Sequence, residues 1–215
     1  MKKRSLPVVY LFLLISFLVN IFFITRFLPG YFVKDVIDGD TFILQNGERI
    51  RLIGVNAPEL GTCGSTESKT LLSSLVLNKP VRITEDSRDY YGRRMGLVYV
   101  GSMLVNPKII ESGWARPDYT KNSKNEEMKQ AYKTAKEQNA GIHSTLCKQV
   151  NPIPPNSECT IKGNIDKASW DHFYHLPNCR HYNQIVLDED IGEQFFCSEQ
   201  EARDAGFILA PDCLR

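Results

Sequence analysis

Three short motifs in the first half of this chain carry the residue types that could do chemistry. They read VIDGDT at 36–41, RLIGVNAPE at 51–59 and DYYGR at 89–93. Carboxylate oxygens bind a hard cation, arginines hold phosphate oxygens, and a glutamate can position or deprotonate a water. Together the motifs indicate metal-assisted cleavage of a phosphodiester. Taken singly, each is also typical of a turn or a strand surface, because aspartate and glycine favour turns.

Short strands must position these motifs. The pattern is strand-like over 31–55, where TFILQ and ERIRL flank Asn46 and Gly47, a dipeptide that favours a two-residue type I′ hairpin turn. PVRIT at 80–84 and GLVYV at 96–100 supply two more strands. Five short strands with interspersed helices predict an α+β fold, a five-stranded OB-type barrel with about three helices.

Three helices are expected between and after the strands. The first spans about 65–77, with Ser65 as its N-cap. The second is short, with Asn106 as its N-cap. The third begins at a capping box formed by Ser123 and Glu126.

The N-terminus is basic and then apolar. KKR at 2–4 precedes an apolar run over 6–24, 19 residues long, which is close to the ~20 residues that cross a hydrocarbon core. No small-residue cleavage site follows this run, so we expect an uncleaved membrane anchor over 1–28 rather than a cleaved signal peptide. The positive-inside rule then places the bulk of the chain at the cell surface or in the periplasm. Cleavage of the segment would instead make the chain secreted.

Charge is distributed unevenly along the chain. The net charge is +1 overall, with 16 Lys or Arg against 14 Asp or Glu over 27–147, and 6 against 11 over 148–215. Because the sequence has no broad basic region, any phosphate-binding site must be formed by a few neighbouring basic residues. The acidic C-terminal part is a poor phosphate binder, and we expect it to bind a protein or a cell-envelope partner.

Composition changes after the barrel domain, which we place at 31–147. Residues 148–157 read as a proline-rich linker, and residues 158–215 form a small cysteine-containing module, called the accessory module below. Six cysteines, an even number, lie beyond the apolar run. In an exported chain this number indicates a disulfide framework.

The motifs and their order resemble those of the staphylococcal nuclease (thermonuclease) family over about 33–144. The resemblance implies an OB-type barrel and a calcium-dependent endonuclease that hydrolyses DNA and RNA with little sequence preference, single strands being favoured. It also implies a role for each matching residue. Asp40 would be the principal calcium ligand with Asp38 beside it, Arg51 and Arg93 would bind the scissile phosphate, Glu59 would orient or deprotonate the water, and Tyr91 and Tyr119 would contact the nucleotide.

This chain departs from the family pattern at two informative places. Asn56 stands where the prototype has a second ligating carboxylate; its amide oxygen can bind calcium but brings no charge, so metal affinity should fall. Tyr90 stands where the prototype has a lysine, which weakens contact with a substrate phosphate. The alternative function is a catalytically weak OB-fold module that binds nucleic acid at the cell surface.

The resemblance also bears on the cysteines. Exported family members often carry cysteines at the positions of Cys63 and Cys147, which we therefore expect to pair. The accessory module resembles one found at the C-terminus of some exported bacterial nucleases. Its four cysteines allow three pairings. We prefer Cys159 with Cys213 and Cys179 with Cys197, and the alternative is a zinc site formed by His175, Cys179, His181 and Cys197.

Overall fold

This computed structural model describes residues 6–26, 31–118, 120–149, 154 and 156–213, which contain five α-helices, four three-residue 3₁₀ helices and fourteen strands. The helices are α1 Leu6–Arg26, α2 Ser65–Val76, α3 Val105–Glu111, α4 Asn125–Glu137 and α5 Glu199–Asp204. The strands are β1 Tyr31–Val36, β2 Thr41–Leu44, β3 Arg49–Leu52, β4 Val55–Asn56, β5 Pro80–Arg88, β6 Arg94–Val100, β7 Met103–Leu104, β8 Arg116–Pro117, β9 Lys148–Gln149, β10 Ile161–Ile165, β11 His172–His175, β12 Leu187–Asp188, β13 Gln194–Phe196 and β14 Ile208–Leu209.

A closed barrel forms the first half of the structure. The sheet has the strand order β3-β2-β1-β5-β6-β7, and parallel pairing of β3 with β6 closes it. Five strands therefore form the closed ring and β7 extends it at β6, which confirms the predicted five-stranded OB-type barrel. Apolar side chains fill its interior because alternate residues of each strand point inward. Those that are almost fully buried include Val33, Phe42, Leu44, Ile50, Leu52 and Leu97.

The hairpin between β2 and β3 has the predicted location but a different turn. A type I′ turn needs positive φ at both central residues. Here Gly47 has a φ of +86°, and Asn46 is absent from the described residues with positive φ. Gly47 N donates to Leu44 O at 2.9 Å, and Leu44 N donates to Glu48 O at 2.9 Å. The two-residue prediction is therefore wrong, and the connection is a three-residue loop that ends on a left-handed glycine.

Helix α3 is fastened to the barrel by the residue that was predicted to cap it. Asn106 lies inside Val105–Glu111 and is fully buried. Its side chain accepts from Val98 N at 2.9 Å and donates to Ile53 O at 2.8 Å and to Gly96 O at 3.2 Å. The N-cap prediction is wrong because this side chain serves barrel backbone groups instead of its own helix.

The other two predicted caps are also displaced. Helix α2 starts at Ser65, but its N-cap is Gly64, which takes the left-handed conformation. Helix α4 starts two residues after Ser123, and no side chain caps it. The Ser123 hydroxyl instead hydrogen-bonds to Glu85 on β5. At α4 a contact with the barrel thus overrides the local capping preference.

The N-terminal apolar segment forms α1, with side chains described for residues 10–21, all exposed. Within the described residues, no helix is both long and apolar enough to cross a membrane. The membrane helix predicted for residues 1–28 is therefore not found in that part of the chain. Residues 1–5 and 27–30 lie outside the described residues.

The accessory module has its own sheet and its own core. Its strand order is β13-β10-β11-β14, with β14 parallel to β11. A separate hydrophobic cluster packs on this sheet and comprises Ile161, Ile165, Tyr174, Phe196, Ala202 and Phe207. The first residues of the predicted linker form β9, which pairs with β12 of the module. Of the rest of that linker, residues 150–153 and 155 lie outside the described residues.

Three disulfides are present among the described residues. The structure joins Cys63 to Cys147, the pair that the resemblance implied. In the module it joins Cys159 to Cys197 and Cys179 to Cys213, so both preferred pairings are wrong. Antiparallel β10 and β13 bring Cys159, two residues before β10, beside Cys197, the residue after β13. Parallel β11 and β14 send both following segments out of the same end of the sheet.

The disulfide between Cys63 and Cys147 closes a loop that contains α2, α3, α4 and strands β5 to β8. Its partners are 84 residues apart, and the chain-entropy model assigns such a loop about 4–5 kcal/mol. We expect the paired variant Cys63→Ser with Cys147→Ser to lose most of that free energy of unfolding, measured by urea denaturation. A loss below about 1 kcal/mol would contradict the constraint on the unfolded chain.

Candidate active site

A tight turn between β1 and β2 brings Asp40 into the protein interior. Asp38 Oδ1 accepts from Asp40 N at 3.1 Å, and Ile37 N donates to Thr41 O at 2.9 Å. A side chain at Gly39 would collide with Ser68 on α2, so only glycine allows this close approach. Asp38 is therefore partly engaged as a turn residue, while the Asp40 side chain is 4% exposed.

Donors from three segments surround the Asp40 carboxylate. Its Oδ1 accepts from Thr41 Oγ1 at 2.8 Å and from Arg51 Nη1 at 2.5 Å, and its Oδ2 accepts from Ala57 N at 3.0 Å. Burial raises the pKa of this carboxyl to about 6, while the Arg51 guanidinium opposes the rise. Burial and the neighbouring cation thus act on this carboxyl in opposite directions.

Arg51 connects Asp40 to Asn56. Its Nη2 donates to Asn56 Oδ1 at 3.0 Å and to Val55 O at 3.3 Å. The structure thus brings Asp40, Arg51 and Asn56 together, and we call these three residues the Asp40 cluster. Its ligand atoms are a carboxylate and an amide oxygen, a donor set that fits a hard cation such as calcium.

Glu59 lies in the loop after β4 and is exposed. No hydrogen bond or ion pair of its carboxylate is found among the described residues. Its backbone is held, because Glu59 O accepts from Thr62 N at 3.0 Å and lies 2.8 Å from Thr62 Oγ1. A fixed backbone with a solvent-facing carboxylate suits a group that binds a water.

Arg93 and Tyr91 lie in the loop between β5 and β6, and Asp89 organises that loop. Asp89 Oδ1 accepts from Tyr91 N at 2.9 Å and from Arg93 N at 2.8 Å, and Asp89 Oδ2 lies 2.5 Å from Arg93 Nε. The Arg93 guanidinium also lies 5.4 Å from the centre of the Tyr91 ring. Pairing of β3 with β6 puts this loop at the end of the strand beside Arg51, but Arg93 contacts Asp89 rather than the Asp40 cluster.

Two tyrosines project from the same loop. Tyr90 is 97% exposed and Tyr91 is 79% exposed. Their ring centres are 5.4 Å apart in an edge-to-face arrangement. The other predicted nucleotide contact, Tyr119, lies outside the described residues.

Sequence reasoning missed the residues that hold the predicted ones in place. Thr41 and the Ala57 amide orient Asp40, and Asp89 orients Arg93. Two of these residues could have been identified from the sequence, since Thr41 follows Asp40 directly and Asp89 opens the DYYGR motif. The contact of Ala57 depends on the folded barrel, because it lies 17 residues from Asp40.

The observed disulfide pairing is incompatible with the alternative zinc site in the accessory module. Among the described residues, His175, Cys179 and Cys213 have ligand atoms within 4.8 Å of one another. The two cysteines of this group are joined to each other, and Cys197 is joined to Cys159. Because zinc needs deprotonated thiols, the disulfide form of the module offers it no cysteine ligand.

A closed OB-type barrel that brings carboxylate, amide and guanidinium groups together is consistent with a phosphodiester-cleaving enzyme, and comparisons with known proteins point to that class. A family model described as "Staphylococcal nuclease homologue" matches residues 49–145. An uncharacterized endonuclease of Escherichia coli O157:H7 is 32% identical over 129 residues, which is 57% of this chain and 80% of that protein. The chain therefore belongs to the staphylococcal nuclease family, and its enzyme class is nuclease.

Other relatives carry related names. A thermonuclease of Staphylococcus intermedius is 36% identical over 105 residues, 42% of this chain and 60% of that protein. A micrococcal nuclease of Shigella flexneri is 30% identical over 126 residues, 52% of this chain and 72% of that protein. The family match includes Arg51, Glu59 and Arg93, starts after Asp40 and ends before the accessory module.

The arrangement around Asp89 predicts how Arg93 depends on its neighbour. Asp89→Asn keeps an oxygen for the two backbone donors but removes the charge that holds the guanidinium. We expect the rate of DNA cleavage to fall about 10-fold, less than the ~10²–10³-fold loss expected for Arg93→Ala. Steady-state cleavage of a fluorescent oligonucleotide measures both.

Asp86→Asn provides the matched control on the same hairpin. Asp86 accepts from Arg94 Nε at 2.9 Å, an acid–arginine pair outside the site. We expect its cleavage rate to equal that of the unmodified chain. Equal rates for the Asp86 and Asp89 variants would contradict the positioning of Arg93.

Proposed function

We propose that this protein is a calcium-dependent nuclease that hydrolyses phosphodiester bonds of DNA and RNA with little sequence preference, outside the cytoplasm. The observation that carries the proposal is the Asp40 cluster, in which a buried carboxylate and an amide oxygen are joined by one guanidinium. Glu59 on the adjoining loop and Arg93 in the loop just before β6 supply the remaining chemical groups.

Asp40 and Asn56 are the residues that would hold calcium, with Asp38 adjacent. Bound calcium would supply Lewis-acid polarisation of a phosphate oxygen. Only one of the two oxygens belongs to a charged group, so we infer weaker binding than a site with two carboxylates gives.

The side chains of this protein would bind the phosphate and activate the water. The forked guanidiniums of Arg51 and Arg93 match phosphate oxygens and counter the negative charge that grows during displacement. Glu59, with its carboxylate directed to solvent, orients the attacking water and accepts its proton. Because these groups address only phosphate and water, they read no base sequence.

Substrate preference follows from the exposed tyrosine pair. Unpaired bases stack on aromatic rings with energies of about 1–3 kcal/mol per base, and every base has such a face. Tyr90 and Tyr91, 5.4 Å apart, offer rings on the loop that carries Arg93. This supports single strands as the favoured substrate. At Tyr90, stacking on a base would offset the phosphate contact that a lysine makes at this position in the prototype of the family.

Location outside the cytoplasm is supported by the three disulfides, since such bonds persist in oxidising compartments. The acidic accessory module repels phosphate, so we propose that its external partner is a protein or another component of the cell envelope.

The test of this function compares cleavage and binding. The full chain should degrade single-stranded DNA when calcium is present and stop when a chelator is added. Glu59→Ala should lose about 10²-fold or more in rate while retaining DNA affinity, as measured by gel cleavage and fluorescence anisotropy. Glu67→Ala, an exposed glutamate in the first turn of α2, is the matched control and should cleave normally.

Two outcomes would contradict the proposed function. Tight DNA binding by the folded, unmodified chain without any product would establish the alternative, a nucleic-acid-binding module. Equal cleavage by the Glu59 and Glu67 variants would remove Glu59 from the mechanism.

A further inference from the structure

We propose that the accessory module is a positioning element of the nuclease site, acting through Asp190 on the segments that carry Asn56 and Glu59. This inference rests on the proposed function for its chemistry. Its structural basis is independent, because it depends on contacts between residues far apart in sequence.

Asp190 of the module binds Arg116 of the barrel domain through two parallel hydrogen bonds. Arg116 Nε lies 2.8 Å from Asp190 Oδ2, and Arg116 Nη2 lies 2.9 Å from Asp190 Oδ1. The Asp190 side chain is only 2% exposed and that of Arg116 is 20% exposed, so the carboxylate of the pair is shielded from water and salt. A bidentate pair of this kind fixes the direction of the guanidinium as well as its distance.

Further groups hold the same guanidinium. Its Nη2 lies 3.5 Å from Asp188 Oδ2 on β12, and its Nη1 lies 3.4 Å from the Tyr132 hydroxyl on α4. Burial opposes the charged form, but the bonds to Asp190 outweigh it and keep the pKa of Arg116 above its ordinary value. Without Asp190 this cation would lose its best-shielded partner.

Arg116 lies directly opposite a predicted metal ligand. Strands β8 and β4 are antiparallel, with Arg116 paired to Asn56 and Pro117 paired to Val55. Each strand has only two residues, so the ladder has few contacts of its own. Asn56 in turn accepts from Arg51 at 3.0 Å. The module therefore reaches the Asp40 cluster in two steps, from Asp190 to Arg116 and from Arg116 to Asn56.

The same turn of the module also holds the loop after Glu59. Thr62 Oγ1 lies 2.8 Å from Glu59 O and 3.1 Å from Asp190 O. Cys63 N donates to Glu189 O at 3.4 Å, and Glu189 N donates to Cys147 O at 2.9 Å. One three-residue turn, Glu189–Ile191, thus contacts both Arg116, which pairs with Asn56, and the loop that follows Glu59.

The consequence for the chemistry is specific. Asn56 supplies the uncharged half of the oxygen pair, so its position decides how much it adds to metal binding. A displacement of about 1 Å in a site can cost 10²-fold in rate. A module that only stabilised the fold would change the unfolding transition, whereas a positioning module changes calcium affinity in the folded state.

The experiment uses the full chain with Asp190→Asn. We expect the calcium dissociation constant, measured by isothermal titration calorimetry without nucleic acid, to rise about 5–10-fold. We also expect kcat to fall by a similar factor while KM for DNA is unchanged, at a temperature where circular dichroism shows both proteins folded. Glu199→Gln breaks an acid–arginine contact inside the module and should change neither quantity.

A double-mutant cycle with Asn56→Ala separates positioning from stability. Positioning through Asn56 predicts that Asp190→Asn has little further effect on calcium affinity once Asn56 is truncated. Additive losses, or wild-type calcium affinity in folded Asp190→Asn, would overturn the proposal. If Asp190→Asn does not fold, Asp190→Glu, which keeps the charge and moves it, takes its place. Positioning predicts that this variant also loses calcium affinity, and wild-type affinity would overturn the proposal.

The cycle also distinguishes the two proposals. A chain that binds calcium through Asn56 and loses affinity in Asp190→Asn, but cleaves no DNA, would refute the nuclease function and support the positioning. Normal cleavage with no effect of Asp190→Asn on calcium binding or kcat would support the nuclease function and refute the positioning role of Asp190.

Discussion

Desolvation of one carboxylate, that of Asp40, governs the arrangement of the candidate site. A buried charge is costly unless donors surround it, and removing one partner of a buried pair costs about 3–5 kcal/mol. The donors come from the residue after Asp40, from β3 and from the chain just beyond β4. Satisfying this single group therefore fixes three segments relative to one another. Asn56 and Glu59 follow from that placement, because both lie on or just after β4.

The barrel reinforces this arrangement through buried polar contacts that are unrelated to the chemistry. Asn106 joins α3 to the backbone of β6 and of the segment before β4. The disulfide at Cys63 ties the loop after Glu59 to the end of the barrel domain. The accessory module then packs its Glu189–Ile191 turn against the same loop. These contacts all support the side of the site that carries Asn56 and Glu59, whereas Tyr90 and Tyr91 on the loop between β5 and β6 are exposed.

The amount that could be predicted from the sequence depends on how local each determinant is. The strands, the closed barrel and the site motifs follow from alternation and residue type, so the architecture was accessible. The helix caps were not, because Ser123 and Asn106 form tertiary contacts that compete with capping. The module's cysteine pairs required knowing that β14 runs parallel to β11, which no local pattern reveals. The pair of Arg116 with Asp190 spans 74 residues and had no sequence signal at all.

We propose that the oxygens of Asp40 and Asn56 form a calcium site with one negative charge fewer than a two-carboxylate site. Calorimetric titration of calcium into the unmodified chain, Asp40→Asn and Asn56→Asp tests this claim most directly. Asp40→Asn should abolish measurable calcium binding, and Asn56→Asp should tighten it about 10-fold, since a second carboxylate then faces the ion. Retained affinity in Asp40→Asn, or unchanged affinity in Asn56→Asp, would contradict it.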